Sequence, residues 1–357
     1  MKDKILVCLF SFIMIFFFSF NILTPDNDIS ISERRRLKSF PKFSINSIFN
    51  GELMNDFDNY VTDQFVFRDS FRKISAFIDL KLKCSYHDLF LYNNYIIEDK
   101  KSINYSSINN FINKVNNIKS LCLKNSNKVY YSIIPEKMYF ASNKELFDTI
   151  EDTLKSSFDF KYIKIDDTLS LNSYYKSDPH WKQEELVNTS NRINTFMNNN
   201  TFMNNNTFND YNKKKISNFK GTYYYQLPVF NGNDELFIMN SKYTNNSYLY
   251  DYISNNKSDL YSRSNNSIDL YDTYLGGSKA IISIINKTNT SNKELIVFRD
   301  SFASSISPLL LDGYSKITLI DTRYISPNLI SNYIEFDNQD ILFLYSTLII
   351  NNSYSLK

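Results

Sequence analysis

The sequence predicts an α/β protein: a mainly parallel sheet covered by helices on both faces, preceded by an N-terminal transmembrane helix. Three observations predict it. Short, apolar, β-branched runs alternate with segments of helical spacing from about residue 85 onward. Residues 5–23 are apolar except for Ser11, Ser19 and Asn21. Hydrophobic residues make up 43% of the chain and aromatics 16%, enough to build a core and too much for wholesale disorder.

The elements follow in order. Nineteen helical residues (5–23) span roughly 28 Å, about the thickness of a hydrocarbon core. Lys2 and Lys4 precede the run, which favours a cytoplasmic N-terminus and puts the rest of the chain outside the cytoplasm. No small-x-small cleavage site follows Leu23, and the run exceeds a usual signal-peptide core, so residues 1–23 are expected to be retained as a single-pass anchor in the cell membrane. Residues 24–50 are polar and basic (Glu33-Arg34-Arg35-Arg36) and read as a solvated linker within reach of lipid headgroups. Residues 51–357 are expected to form the globular domain. It opens with two helices over 51–83, broken near Asp63-Gln64.

Strands are expected at 128–134, ended by Pro135, and at 162–165, 294–298, 316–320 and 341–345. A helix should follow 294–298 and run through Leu311 to Gly313. Another should start at Pro179, with Ser177 or Asp178 as its N-cap. The segment 195–206 is Thr-Phe-Met-Asn-Asn-Asn twice. Two copies are too few for a solenoid, so an exposed Asn-rich insertion near 195–220 is expected. Residues 231–270, rich in Asn, Ser and Tyr, read as irregular hairpins at the rim of the sheet.

Several function classes are disfavoured. A net charge of +2 gives no footprint for nucleic acid. Six glycines assemble neither a GxGxxG nor a Walker-type loop. Three cysteines make no disulfide framework: Cys8 lies in the anchor and Cys122 extends an apolar helical stripe, which leaves a Cys84–Cys122 pair as the one bridge open. His87 has no Cys or second His at metal-ligand spacing, so neither metal nor cofactor is expected.

Two short segments carry the chemistry. Asp178-Pro179-His180-Trp181 holds one of two histidines and the only tryptophan. Val297-Phe298-Arg299-Asp300-Ser301-Phe302 puts a serine directly after an apolar strand. Together they supply a nucleophile (Ser301), a base (His180) and an orienting carboxylate (Asp178), the minimum for acyl transfer through a serine ester. Helix capping explains Asp178 and Pro179 but not His180 or Trp181. A cap also explains a serine at a strand-to-helix turn. The functional reading of Ser301 gains weight because parallel sheets bind ligands outside the carboxyl ends of their strands.

These blocks resemble the bacterial DHHW proteins, which are similar to the alginate O-acetyltransferases of the SGNH-hydrolase-like group. The resemblance rests on Asp178-x-His180-Trp181 after Tyr174-Tyr175-Lys176-Ser177, and on Arg299-Asp300-Ser301-Phe302-Ala303. Weaker blocks are Leu37-x-x-Phe40-Pro41, Tyr60-x-x-Asp63-Gln64-Phe65, Ile134-Pro135-Glu136-Lys137, Tyr274-Leu275-Gly276-Gly277 and Asp321-x-Arg323-Tyr324. It implies an SGNH-hydrolase-like three-layer fold and a triad of Ser301, His180 and Asp178, in an order reversed from ordinary SGNH esterases. It also implies an extracytoplasmic O-acetyltransferase or acetylesterase acting on a cell-wall or exported polysaccharide, with a membrane-bound O-acyltransferase as acetyl donor. The sequence departs from the pattern at Pro179, at Arg299, where Gly or Lys is frequent, and at Ser304, where Asn is frequent. The Ser301 amide is the expected first oxyanion donor. Arg299 and Gly277 are candidates for a second, and Trp181 for a substrate contact; for Arg299 the plainer role is a strand-end ion pair. The alternative function is a non-catalytic envelope protein that binds glycan or scaffolds an assembly with a degenerate site.

Overall fold

The computed structural model describes residues 2–99, 102–198, 210–263 and 267–357, and the chain divides into two compact units. The first comprises Met1–His87 with Tyr224–Asn231. It thus includes residues 51–87, which the sequence assigned to the globular domain. Helix α1 (Lys2–Leu23) is long and apolar enough to cross a membrane. Strands β1 (Ile29–Ser30) and β2 (Arg35–Arg36) pair antiparallel, and a short α2 (Ile45–Phe49) is capped by the Ser44 hydroxyl. Then come α3 (Glu52–Gln64) and α4 (Arg68–Leu82), split at the expected place, with Phe67 in the left-handed region at φ 57°.

Residues 24–50 are not a free linker. The buried Asp63 carboxylate accepts from Arg35 Nη1 at 2.8 Å and from the Lys38 amide at 2.9 Å. The Gln64 side-chain amide donates to the carbonyls of Asn27 (3.0 Å) and Lys38 (2.9 Å). A buried carboxylate needs such partners, and Arg35 and the Lys38 amide supply them.

The second unit comprises Asp88–Tyr223 and Gly232–Lys357. Its elements are the hairpin β3 (Leu89–Tyr92) and β4 (Tyr95–Glu98), α5 (Tyr105–Cys122), β5 (Lys128–Ile134), α6 (Lys137–Ala141), α7 (Glu145–Ser157), β6 (Lys161–Tyr162), α8 (Val187–Asn198) and β7 (Asn212–Phe219). After α9 (Thr222–Gln226) come β8 (Asp234–Asn240), α10 (Lys242–Asn245), β9 (Ser247–Asp251), β10 (Asn256–Ser258), β11 (Ile281–Asn286) and β12 (Glu294–Arg299). The chain ends with α11 (Ala303–Ile306), β13 (Lys316–Ile320), α12 (Pro327–Ile330), β14 (Asp340–Ser346) and α13 (Thr347–Ile350).

The central sheet has eight strands in the order β10-β9-β11-β13-β12-β14-β5-β6. From β13 to β6 the pairing is parallel; β11, β9 and β10 join antiparallel. Side chains alternate across it. Leu295, Val297, Leu342 and Leu344 face a core shared with Ile193 and Leu309, while Ile296, Phe298, Ile341 and Phe343 face one shared with Phe111 and Ile150. Helices on both faces make three layers, the mainly parallel α/β architecture the sequence predicts.

Several local expectations are corrected. The antiparallel β11 was not foreseen, because its Ile-rich run carries no mark of direction. The strand expected at 162–165 is the two-residue β6. The region 231–270 contains β8, β9 and β10, and the β9–β10 hairpin does lie at the sheet's rim. Of the 195–206 repeat, 195–198 end α8 and the remainder lies outside the described residues. Within the expected insertion, 212–219 is β7, paired with β8. Cys84 and Cys122 are free thiols, Cys122 buried.

Candidate active site

The site lies where the parallel strands end. Strand β12 stops at Arg299, and Ser301 follows on a tight turn. Asp300 builds that turn. One carboxylate oxygen accepts the Phe302 amide at 3.0 Å, and the other accepts the Ser346 amide (2.7 Å) and hydroxyl (2.6 Å) at the end of β14. The turn is thereby pinned to the neighbouring strand. The expected 302–311 helix is only α11 followed by a 3-10 turn through Leu310, because Pro308 removes an amide from the helical ladder.

The Asp178-Pro179-His180-Trp181 segment is a loop, not a helix start. Tyr174 and Trp181 face each other in an isolated antiparallel bridge. The Tyr175 amide donates to the His180 carbonyl at 3.1 Å and the Lys182 amide to Ser173 at 2.8 Å. The helix begins only at Val187. The Asp178 side chain makes a cap-like contact with the amide two residues on, but no helix follows it, and the carboxylate is shared with the His180 ring and a distant amide. Its Oδ1 accepts the His180 amide at 3.0 Å and meets His180 Nδ1 at 2.6 Å. Its Oδ2 accepts the Thr222 amide at 2.8 Å. The other ring nitrogen, Nε2, lies 2.8 Å from Ser301 Oγ. Asp178, His180 and Ser301 therefore form one continuous hydrogen-bonded chain, although the two motifs are 121 residues apart.

Burial and charge support this geometry. Asp178 is 1% exposed. Burial opposes its ionisation, but His180 and the amides of Thr222 and His180 outweigh burial, and the carboxyl is held below its ordinary range. The imidazole stacks on the Tyr271 ring, centroids 3.9 Å apart at 14°, and Phe302 packs against it at 4.7 Å. The ring is thus fixed by packing as well as by hydrogen bonds.

Further contacts hold the loop in place. Asp234 accepts the Lys176 amide (2.9 Å), the Ser177 amide (2.8 Å) and the Ser177 hydroxyl (2.6 Å). Gly221 passes so close that a Cβ there would lie 2.2 Å from Asp178 Cβ. Lys137 is fully enclosed and donates to the carbonyls of Tyr175 (3.2 Å) and Lys176 (3.3 Å). Burial pulls its ammonium down to about 7, against the attraction of Asp178, Asp234 and Glu98. Asp234, Gly221, Thr222 and Tyr271 were not singled out from the sequence. They come from distant segments without a motif of their own; the scarcity of glycine was the one available sign for Gly221.

The remaining sequence candidates are Trp181, Arg299 and Gly277. Trp181 is 0% exposed and cannot touch a substrate. Its indole N–H donates to the Phe302 carbonyl at 2.9 Å and ties the histidine loop to the serine turn. Arg299 is 1% exposed; its Nη1 donates to the Asp300 carbonyl (3.2 Å) and to Ser304 Oγ (2.9 Å), with Asp321 at 3.9 Å. This is the plainer strand-end role. Two of the positions that depart from the resembled pattern, Arg299 and Ser304, are bonded to each other. Gly277 sits at φ 81°, its amide turned to the Tyr274 carbonyl at 3.4 Å, and a Cβ there would strike the Asp272 carboxylate. Its form is that of a turn glycine. Among the described residues, no group of His, Cys, Asp and Glu is arranged to hold a metal ion.

No family model matches the chain, and no curated protein does. Solved structures do. A DHHW family protein from Eubacterium siraeum superposes with a TM-score of 0.60 at 16% identity, over 76% of this chain and 94% of that one. PatB1 of Bacillus cereus superposes with a TM-score of 0.58 at 18% identity, over 73% of this chain and 96% of its own. The same protein carrying a sulfonyl adduct gives 0.57 at 17%, over 73% and 95%. At these identities the likeness concerns the fold, and this chain is built on the fold of the DHHW family protein and of PatB1.

Proposed function

We propose that this chain is a serine-dependent O-acetyltransferase, or acetylesterase, of the cell envelope, acting on a cell-wall or exported polysaccharide. The observation that carries the reading is the Asp178–His180–Ser301 chain, with contacts of 2.6 and 2.8 Å. Ser301 Oγ attacks the acetyl carbonyl carbon while His180 Nε2 takes the hydroxyl proton. The leaving group departs with that proton, and an acetyl ester remains on Ser301. An acceptor sugar hydroxyl (or water) then gives its proton to His180 and attacks the ester, which restores Ser301. Asp178 fixes the tautomer and stabilises the imidazolium in both halves. The Ser301 amide, at the turn, is the first oxyanion donor on this reading. A membrane-bound O-acyltransferase supplies the acetyl group, with α1 holding the domain at the outer face of the membrane. The sulfonyl adduct of PatB1 adds support, because sulfonyl reagents sulfonylate activated hydroxyls and the two proteins share a fold.

The test is direct. Incubated with an activated acetyl ester, the full chain should gain the mass of one acetyl group on the peptide containing Ser301. Ser301→Ala should gain none, and His180→Ala should acylate at least about a hundredfold more slowly, since a positioned general base contributes roughly 10²–10⁴. Equal labelling of wild type and Ser301→Ala refutes the assignment and leaves the non-catalytic reading.

A further inference from the structure

Helix α4 is amphipathic in the wrong sense for a water-facing helix. At 100° per residue, Phe67, Phe71, Ile74 and Ile78 fall within one narrow stripe, and Leu82 continues it. They are 53%, 45%, 55%, 46% and 78% exposed. Ala76, on the opposite side of the helix, is 0% exposed. The side opposite Ala76 is therefore the apolar one, and beyond the contacts that Phe67 and Phe71 make with α1 it stays exposed along the helix.

The start of α4 is fixed to the membrane helix. Phe17 packs on Phe65 (centroids 5.6 Å) and on Phe71 (5.9 Å), and Phe20 stacks on Phe67 at 5.8 Å. Asn21 Oδ1 accepts the Val66 amide at 3.0 Å, and its Nδ2 donates to the Phe17 carbonyl at 2.8 Å. A polar side chain inside the apolar run is thus satisfied by protein, as a low-dielectric setting demands. Phe17 lies six residues before Leu23, about 9 Å inside the apolar end of α1 at 1.5 Å per residue. If α1 spans the bilayer, residues touching Phe17 cannot be in bulk water.

We propose that α4 lies in the outer interface of the membrane, with the Phe67–Phe71–Ile74–Ile78 stripe sunk into the acyl boundary. Interfacial helices of this kind bury their apolar face by roughly 5–10 Å, which matches the depth at which Phe17 meets Phe71. Lys81 borders the stripe and has a stem long enough to lift its charge to the headgroups. The inference rests on α1 crossing the membrane. It makes α4 a second, in-plane contact of the first unit with the membrane.

The experiment uses the full chain in phosphatidylethanolamine–phosphatidylglycerol vesicles, with and without bromine on the lipid tails. Single variants Phe71→Trp, Ile74→Trp and Ile78→Trp add an aromatic reporter at partly exposed apolar positions, with a melting curve for each to verify folding. Phe12→Trp marks the span, and Lys73→Trp marks the flank of α4. The native Trp181 is enclosed and gives a constant background. The expected result is blue-shifted emission and bromine quenching at 71, 74 and 78, shallower than at 12, with Lys73→Trp unquenched. Quenching at 12 but not at 74 and 78 refutes the proposal while leaving the span intact; cross-linking of those residues to a second copy would then identify the stripe as a protein interface. An unquenched Phe12→Trp refutes the span and the proposal with it. Neither outcome bears on the Ser301 chemistry.

Discussion

Replacing Asp178 by Asn is the sharpest perturbation of the site, because it keeps the shape and removes one acceptor. The native carboxylate faces three donors: the His180 ring N–H at 2.6 Å, the His180 amide at 3.0 Å and the Thr222 amide at 2.8 Å. An Asn has a single oxygen. If that oxygen turns to Thr222, the NH2 group faces His180 Nδ1, which must then be the bare nitrogen. The proton moves to Nε2 and points at Ser301, so this nitrogen can no longer accept the hydroxyl proton. If the oxygen turns to His180, the NH2 group meets the Thr222 N–H in a buried position, a donor–donor clash. Either way the productive tautomer is disfavoured. Loss of the triad carboxylate in a serine hydrolase costs about 10⁴ in rate, so a 10³–10⁴-fold drop is expected here, about 4–5.5 kcal/mol of barrier. The assay is the rate at which phenylmethylsulfonyl fluoride modifies Ser301, followed by mass spectrometry, with a melting curve for each variant to verify folding. A folded Asp178→Asn protein that reacts at the wild-type rate would refute the argument that Asp178 sets the state of His180.

Further outcomes are expected. Gly221→Ala should slow Ser301 modification by at least about tenfold, because the new methyl must displace Asp178 Cβ, 2.2 Å away, and misplacing a catalytic group by about 1 Å costs on the order of 10²-fold. Trp181→Phe should lower stability by about 1–3 kcal/mol in denaturant titrations, since the buried Phe302 carbonyl loses the indole donor, and should slow modification because the histidine loop loses its tie to the serine turn. Lys137, held at about 7 when folded, should give a stability that rises with pH between about 7 and 10. In that window the unfolded chain binds the extra proton, its lysine titrating near 10.4. Lys137→Met should flatten that rise, and an unchanged slope would show that the ammonium is not destabilised by burial. At the acid end, Asp178 ionises below its ordinary range, so its contribution is complete above about pH 4 and is lost as pH falls through the folded value; Asp178→Asn should remove that part of the acid transition.

What the residues alone determined were the features that depend on local pattern and composition. The apolar run of α1, the β-branched strands β5, β12, β13 and β14, and the split between α3 and α4 are all periodicities, which survive without knowledge of what they pack against. The Asp178–His180 segment was legible because it holds one of two histidines and the only tryptophan, and Ser301 because it follows an apolar strand; their contact across 121 positions was inferable through the sheet rule and the family resemblance. Tertiary structure decided the rest. Asp178 was bound to the His180 ring and to the Thr222 amide, and the helix begins only at Val187. Trp181 and Arg299 were drawn inside to satisfy the Phe302 carbonyl and Ser304, and so left the list of groups that can meet a substrate. Asp234, Gly221 and Tyr271 entered the site from segments with no motif, because supporting roles of that kind require only a hydrogen-bond acceptor, a small residue or a flat ring at a point in space, and long-range packing alone determines which part of the chain arrives there.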